Sequence, residues 1–203
     1  MKNREERPTN LDRGATQQTF DFGDEEELML PVNFLRLEVT DPAQIAALAG
    51  QTSDATLLIN NAAILDFGSA LESEQKTIER NLEVNLFGLL NLSRAIAPNI
   101  AANGGGAIVN MLTLLSLASM PAITPYNISK AAAWSMTQSL RATLADRNVA
   151  VHGVFPGAID TDMTAAVEMD KTSPEHVASQ VVAGIIAGDE DIFPDPMSIQ
   201  LYA

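Results

Sequence analysis

Two residues with proton-transfer chemistry, Tyr126 and Lys130, stand four positions apart in the sequence YNISK, ahead of an alanine-rich run. Residues at positions i and i+4 of a helix share one face. An ammonium group beside a phenol stabilises the phenolate and lowers the pKa of the phenol. A tyrosine tuned in this way can donate or accept the proton of an alcohol or a carbonyl compound. The spacing alone is common by chance, so the surrounding sequence must decide between a catalytic pair and two ordinary helix residues.

A hydroxyl group that could assist this pair belongs to Thr113, at the end of the apolar run AIVNMLT. Pro125 directly precedes Tyr126 and predicts that the tyrosine lies at the mouth of its helix. At the end of a buried strand, the threonine hydroxyl can hydrogen-bond a substrate oxygen. Ser116 and Ser119 lie between the strand and the tyrosine, and we expect them to be loop residues.

The elements that must position these side chains alternate between strands and helices from residue 28 onward. LPVNFLRLEV, ATLLINNAAI, GGGAIVNMLTLL and NVAVHGVFPG have the pattern of strands. Helices are predicted after Asp41 and Pro42, over residues 72–102 and 126–146, and from Ser173 to Gly188. The alternation predicts an α/β fold with a Rossmann-like, doubly wound, mostly parallel sheet. Ligands of such sheets bind at the carboxyl ends of the strands.

Composition narrows the class of protein. Hydrophobic residues make up 46% of the 203 residues and charged residues 19%, which is typical of a globular chain. Residues 1–27 are polar and are predicted to be a flexible arm, and 28–203 a single domain. A net charge of −14 without a basic patch argues against nucleic-acid binding. No apolar run is long enough to predict a membrane span. The absence of cysteine suits a cytoplasmic protein.

Two histidines without clustered carboxylates predict no metal site. His152 lies within an apolar strand pattern and is expected in the core. Asn60 is expected to tie neighbouring strands together through its side-chain amide. Trp134 lies among alanines on a helix face, which is compatible equally with core packing and with a subunit interface.

Six short motifs, in order, make the chain resemble the short-chain dehydrogenase/reductase family over residues 32–165. They are LEVTD after a strand, NNAAI after the next, NLEVNLFG within a helix, IVN before the hydroxyl residue, YNISK, and PGAIDT. The resemblance implies an oxidoreductase that uses NAD or NADP on an alcohol or ketone and assembles as a homodimer or homotetramer.

The resemblance also implies roles for individual residues. Tyr126 would be the acid/base, Lys130 would lower its pKa and hold the nicotinamide ribose, Thr113 would polarise the substrate carbonyl, and Asn85 would hold a water that relays protons. The cofactor cleft would be lined by Glu38, Val39, Asn61, Ala62, Ala63, Pro156, Gly157, Ile159 and Thr161, together with Tyr126 and Lys130. Thr113 replaces the usual serine, and its β-branched side chain has a restricted rotamer. Ala63 replaces the usual glycine, which narrows the approach to the cofactor.

One expected part of a dinucleotide site is not found in the sequence. None of the 12 glycines falls in the glycine-rich turn that binds a pyrophosphate at a helix N-terminus. Gly104 to Gly106 precede a strand, whereas the turn must follow one. We therefore expect the sheet to lack the first strands of the family. The alternative function is an inactive or interaction protein, truncated or degenerate, that does not bind the cofactor.

Overall fold

The computed structural model describes residues 16–20, 28–165 and 167–202, and for residues 16–20 and 28–31 only the backbone. The chain divides into two compact units, Met1–Glu38 and Val39–Ala203. The first unit contains strands β1 (Thr16–Phe20) and β2 (Leu28–Val32), which pair antiparallel. Of the arm predicted over residues 1–27, only β1 is described, so its flexibility stays a prediction. A strand at Thr16–Phe20 was not predicted, because this segment has no strand periodicity.

Strand β2 ends earlier than the sequence predicts. The alternating pattern of LPVNFLRLEV suggested a strand as far as Val39, but the strand stops at Val32, which pairs with Thr16. Phe34 and Leu35, beyond its end, are exposed. A segment with alternating apolar residues forms a strand only where a neighbouring strand supplies hydrogen bonds. Strand β1 supplies them only as far as Val32.

The second unit has the predicted succession of helices and strands. Its main elements are α1 (Pro42–Gln51), β3 (Leu57–Asn60), α2 (Gln75–Leu82), a π-helical segment (Glu83–Gly88), α3 (Leu89–Ala102), β4 (Gly106–Met111), α4 (Thr124–Leu144), β5 (Val149–Val154), α5 (Pro174–Ala187), β6 (Asp191–Ile192) and α6 (Pro196–Tyr202). Short 3₁₀ turns follow β4, α4 and β5, at Leu114–Ser116, Ala145–Arg147 and Asp162–Thr164.

Strands β3, β4, β5 and β6 form a parallel sheet in that order. On one face, Ile108 and Phe155 pack among apolar side chains of α3 and α4. On the other face, Val109 and Val154 pack against Val177 and Val181 of α5. Helices thus cover both faces of the sheet, which confirms the predicted α/β, Rossmann-like fold. The absence of the first strands stays a prediction.

The predicted helix boundaries follow from local capping. The Asp41 carboxylate accepts from the backbone N–H of Ala43 at 2.8 Å and begins α1. The Ser173 hydroxyl accepts from the N–H of His176 and begins α5, which ends at Gly188 in the left-handed conformation. Within the described part of the chain, no helix is both long enough and apolar enough to cross a membrane.

A buried chain of polar side chains links the sheet to its helices. The Asn60 amide donates to Asn110 Oδ1 at 2.8 Å and to Ser93 Oγ at 3.2 Å. Asn110 in turn donates to the Thr137 hydroxyl at 3.0 Å. The predicted role of Asn60 as a tie between strands is confirmed. The chain of hydrogen bonds fixes β3, β4, α3 and α4 relative to one another, on the same side of the sheet as Tyr126.

Candidate active site

The candidate site lies at the carboxyl edge of the sheet, where the ends of β3, β4, β5 and β6 meet because all four strands are parallel. The sequence carries Asn61 to Ile64 after β3, Thr113 after β4 and Pro156 to Thr161 after β5. Helix α4 begins at Thr124, so Tyr126 and Lys130 occupy its first two turns. The fold therefore brings the predicted hydroxyl, phenol and ammonium groups to one place.

Tyr126 is buried, and the Thr113 side chain is the polar neighbour that acts on its phenol. Burial raises the pKa of Tyr126 to about 12, and the Thr113 side chain opposes this rise. The sequence led us to expect a lowered tyrosine pKa, and that expectation is wrong for the chain alone. Removal of the phenol from water outweighs the effect of its polar neighbours.

Lys130 is 4% exposed, and its ammonium group donates to the carbonyl oxygen of Met111 at 2.7 Å, at the end of β4. The Nζ atom lies 5.8 Å from the centre of the Tyr126 ring. Burial lowers the pKa of Lys130 to about 8, since the interior disfavours the charged form.

Asn85 lies in the π-helical segment Glu83–Gly88 and is buried. Its amide exchanges two hydrogen bonds of 2.9 Å with the backbone of Ile64, in the loop after β3. It also donates to Ser129 Oγ at 2.8 Å, and Ser129 donates to the Tyr126 carbonyl oxygen at 2.8 Å. Asn85 therefore joins the loop after β3 to the first turn of α4. Its role in holding a water stays a prediction.

Thr113 is the N-terminal cap of the 3₁₀ turn that follows β4. Its hydroxyl accepts from the N–H of Leu115 at 3.3 Å and donates to the carbonyl oxygen of Pro156 at 3.4 Å. Its own N–H donates to the buried Ser116 hydroxyl at 3.3 Å. Ser116 is thus a capping residue of the turn, as its predicted place in a loop suggested. The threonine is held from both the β4 and the β5 sides of the site.

The predicted cofactor-cleft residues divide between the walls of this site. Asn61 and Ala62 are exposed and Ala63 is half-buried, directly after β3. Pro156 is buried after β5, whereas Ile159 pairs with Thr172 in an isolated bridge and Thr161 is exposed.

Glu38 and Val39, which the family resemblance places in the cofactor cleft, lie in different units. Val39 lies against Gly88, where an added methyl group would come within 2.9 Å of its Cγ2. Glu38 is exposed and belongs to the unit Met1–Glu38.

The glycines before β4 are part of a tight connection. Gly106 has φ of 154°, and a Cβ there would meet the carbonyl oxygen of Thr56 at 1.9 Å. Its N–H donates to the Asn148 carbonyl oxygen at 3.0 Å. These glycines lie in the connection between α3 and β4, as the sequence predicts.

Chemically, the site suits proton transfer to an oxygen atom. The described residues contain no group of three or more histidine, cysteine or carboxylate residues that could hold a metal. His152 is buried in β5, as predicted, and its Nδ1 contacts the Asp189 carbonyl oxygen at 2.6 Å. Trp134 packs against Phe155 of the core at 4.9 Å between ring centres. The polar groups that the site offers to a substrate are the hydroxyls of Tyr126 and Thr113 and the ammonium of Lys130. Such groups can orient and protonate a carbonyl oxygen.

Sequence reasoning missed two residues that support the site. Ser129 bridges Asn85 and Tyr126, and its position one residue before Lys130 was the only available signal. Asp195 holds the loop after β5 through the N–H of Gly157. It follows a strand of two residues, which is too short to give a periodic pattern.

Comparison with known proteins agrees with the fold. The family model described as short chain dehydrogenase matches residues 21–172. Human "dehydrogenase/reductase SDR family member 4" is 31% identical over 122 residues, 60% of this chain and 44% of that protein. The "3alpha-hydroxysteroid dehydrogenase" of Mediterraneibacter gnavus is 31% identical over 152 residues, 73% of this chain and 58% of that protein. The chain thus spans about half the length of the curated relatives it matches.

Solved structures resemble the fold more completely. A short chain dehydrogenase from Burkholderia cenocepacia, crystallised with NADP, superposes with a TM-score of 0.80 at 35% identity. The match covers 83% of this chain and 73% of that one. A gluconate 5-dehydrogenase from the same organism, crystallised with NADP and tartrate, has a TM-score of 0.73 over 81% of this chain and 74% of that one. At 22% identity, this second structure shows a likeness of fold alone.

Proposed function

Because this chain belongs to the short-chain dehydrogenase family, we propose that it is an oxidoreductase that transfers hydride between NAD or NADP and an alcohol or ketone. The observation that carries the proposal is the burial of Tyr126, Thr113 and Lys130 together, with the Lys130 Nζ atom 5.8 Å from the centre of the tyrosine ring. Tyr126 is the acid/base in this proposal, Thr113 orients the substrate oxygen, and Lys130 contacts the ribose of the cofactor.

The protonation states of the chain favour carbonyl reduction near neutral pH. A phenol with a pKa of about 12 is protonated there and can donate to a carbonyl oxygen. The Thr113 hydroxyl can donate a second hydrogen bond to the same oxygen when it turns from the Pro156 carbonyl oxygen, which lies 3.4 Å away. The nicotinamide cofactor supplies the hydride when it is bound. After the proton has left Tyr126, the neighbouring Lys130 can stabilise the phenolate, since an ammonium at close range favours the charged form.

The residues of the site fit the nicotinamide half of the cofactor better than its diphosphate half. The buried Lys130 ammonium and the exposed Thr161 offer polar groups for the ribose and amide. Asn61 to Ala63 would line the wall after β3, with Val39 beside the adenine. The sequence, however, contains no glycine-rich turn for the diphosphate. That observation supports the second proposal, a relative that binds no cofactor and acts through interactions.

The substrate we propose is a small, moderately apolar ketone or alcohol. The segment after the PGAIDT motif contains the exposed apolar side chains of Met163, Val167 and Met169. Apolar side chains near the site favour an apolar substituent on the substrate carbonyl. From the family resemblance we also propose a cytoplasmic homodimer or homotetramer. Sedimentation equilibrium of the purified chain tests the assembly.

Calorimetric titration with NADPH and NADH at millimolar concentration separates the two functions, followed by turnover assays with a set of ketones. We expect binding of one cofactor and slow reduction of apolar ketones. The Tyr126→Phe variant removes only the phenol hydroxyl. It should bind cofactor as the wild type does, while kcat falls by about 10²- to 10⁴-fold. A wild-type protein that gives no binding heat, or a Tyr126→Phe variant with unchanged turnover, contradicts the first proposal and favours the second.

A further inference from the structure

Asp195 is a buried carboxylate on the segment between β6 and α6, and it is 1% exposed. Its Oδ2 accepts from the N–H of Gly157 at 2.8 Å, and its Oδ1 accepts from the N–H of Ser198 at 3.0 Å. The charge is therefore held by two backbone amides, one in the loop after β5 and one in α6. Hydrogen bonds to an ionised acceptor are stronger than neutral ones, and a buried carboxylate is costly without them.

The peptide group that Asp195 holds is the one that contacts the catalytic hydroxyl. The N–H of Gly157 and the carbonyl group of Pro156 belong to the same planar peptide unit. The carbonyl oxygen accepts from the N–H of Leu114 at 3.0 Å and from the Thr113 hydroxyl at 3.4 Å. Rotation of this peptide plane would break the bond to Asp195 on one side and the bonds to Thr113 and Leu114 on the other.

Close packing keeps the loop against this carboxylate. A Cβ added at Gly157 would come within 2.8 Å of Met197 Sδ and 2.9 Å of Asp195 Oδ1. The absence of a side chain at residue 157 thus lets the loop approach α6 directly. The N–H of Phe155, just before the loop, donates to the Ile192 carbonyl oxygen at 2.8 Å. The C-terminal segment consequently holds the loop after β5 at two successive points.

We propose that Asp195 is a positioning residue, which fixes the Pro156–Gly157 peptide plane and through it holds the Thr113 hydroxyl at Tyr126. The inference rests on the proposed function only in the role given to Thr113. Among the described residues, the carboxylate itself makes no hydrogen bond to Thr113 or Tyr126. It acts through the geometry of one peptide group.

Amide hydrogen exchange measured by NMR tests the coupling without cofactor or turnover. In Asp195→Asn, which keeps the size of the side chain, we expect the amides of both Gly157 and Leu114 to exchange at least about tenfold faster. Asp195→Ala should increase both rates further. The amides of Ile108 and Val109 in β4 should keep their wild-type rates in Asp195→Asn.

Ser198→Ala is the matched control. The Ser198 hydroxyl bonds to the backbone N–H and carbonyl oxygen of Asp195, so this variant alters the same turn without removing the carboxylate. We expect Gly157 and Leu114 to remain protected in it. Faster exchange at Gly157 alone, faster exchange throughout β4, or equal effects in Ser198→Ala and Asp195→Asn would each overturn the proposal.

A kinetic cycle then connects the exchange result to catalysis. In an active wild type, Asp195→Asn and Thr113→Ala should each lower kcat by about tenfold or more, and the double variant should fall no further than Thr113→Ala alone. Fully additive losses would mean that Asp195 acts independently of Thr113, against the proposal. A wild type that binds no nicotinamide cofactor contradicts the proposed function, and the exchange experiment still decides the role of Asp195.

Discussion

The strands of the parallel sheet differ in how completely their side chains are buried: β4 and β5 are covered, whereas β3 lies at an open edge. Val109 in β4 and Ile59 in β3 are register partners on the same face. Val109 is fully buried beneath α5, whereas Ile59 is 50% exposed. We call the part of the unit formed by β4, β5 and α4 the covered side. It contains Thr113, Tyr126 and Lys130. Asn61 and Ala62, which are expected to line the cofactor cleft, follow the open strand.

This difference separates two requirements of the proposed function. The proton-transfer groups are ordered by packing within the unit Val39–Ala203. The wall after β3 has little apolar burial to hold it in place. We therefore expect stability and the geometry of Tyr126 to depend on the covered side and to be nearly independent of the open edge.

The largest expected contrast comes from truncating one apolar side chain on each side. Phe155 packs between Trp134 and Phe193, at 4.9 and 5.1 Å between ring centres. Phe155→Ala should lower the free energy of unfolding by about 3–5 kcal/mol, since it leaves a cavity. Ile59→Ala, its counterpart at the open edge, should cost less than about 1 kcal/mol. Urea denaturation followed by circular dichroism measures both, and equal losses would remove the comparison.

A second contrast concerns pH, because burial on the covered side shifts two pKa values. Folded Lys130 loses its proton near pH 8 and the unfolded lysine near 10.5. Between these values the unfolded state binds more protons, so stability rises with pH, by up to about 1.4 kcal/mol per pH unit. Folded Tyr126 keeps its proton to about pH 12 and the unfolded tyrosine to 10.0, so stability falls above pH 10.

Thermal unfolding between pH 8 and 10 checks this sign. The wild-type melting temperature should rise over this interval relative to that of Lys130→Met, which lacks the titrating group. Identical pH profiles of the two proteins would show that burial does not shift the lysine in solution.

The smallest contrast tests the buried polar chain on the covered side. Thr137→Val removes the acceptor of the Asn110 amide and should cost about 1–3 kcal/mol, because a buried donor loses its partner. Thr143→Val is a matched control on the same helix. Both threonines also donate to the carbonyl oxygen four residues earlier, but Thr143 is exposed. The losses in free energy of unfolding, measured by chemical denaturation, should differ by the contribution of the hydrogen bond from Asn110. Equal losses would mean that the buried series of polar side chains adds no stability.

The sequence was sufficient for the covered side because its signals are local. Helix α4 was predicted from the alanine-rich run and Pro125, and the i, i+4 spacing placed Tyr126 and Lys130 on one face. Since parallel strands share a carboxyl edge, Thr113 could be expected near them. The capping residues Asp41 and Ser173 were equally local signals.

Other features depend on neighbours that a sequence pattern does not specify. The strand expected as far as Val39 ends at Val32, where its pairing with β1 ends. The raised pKa of Tyr126 follows from burial, which the i, i+4 rule does not contain. Asp195 and Ser129 act through hydrogen bonds to residues 38 and 44 positions away in sequence, so no periodicity indicates them.

The order of the strands also bears on how the protein forms. In the parallel sheet each strand lies beside the strand that precedes it in the chain, from β3 through β6. A polypeptide leaving the ribosome can therefore add each strand to an edge that is already present, without inserting it between earlier ones. The two-residue strand β6 and Asp195 follow the other three strands in the chain. Asp195 can therefore hold the loop after β5 only once β6 has been made.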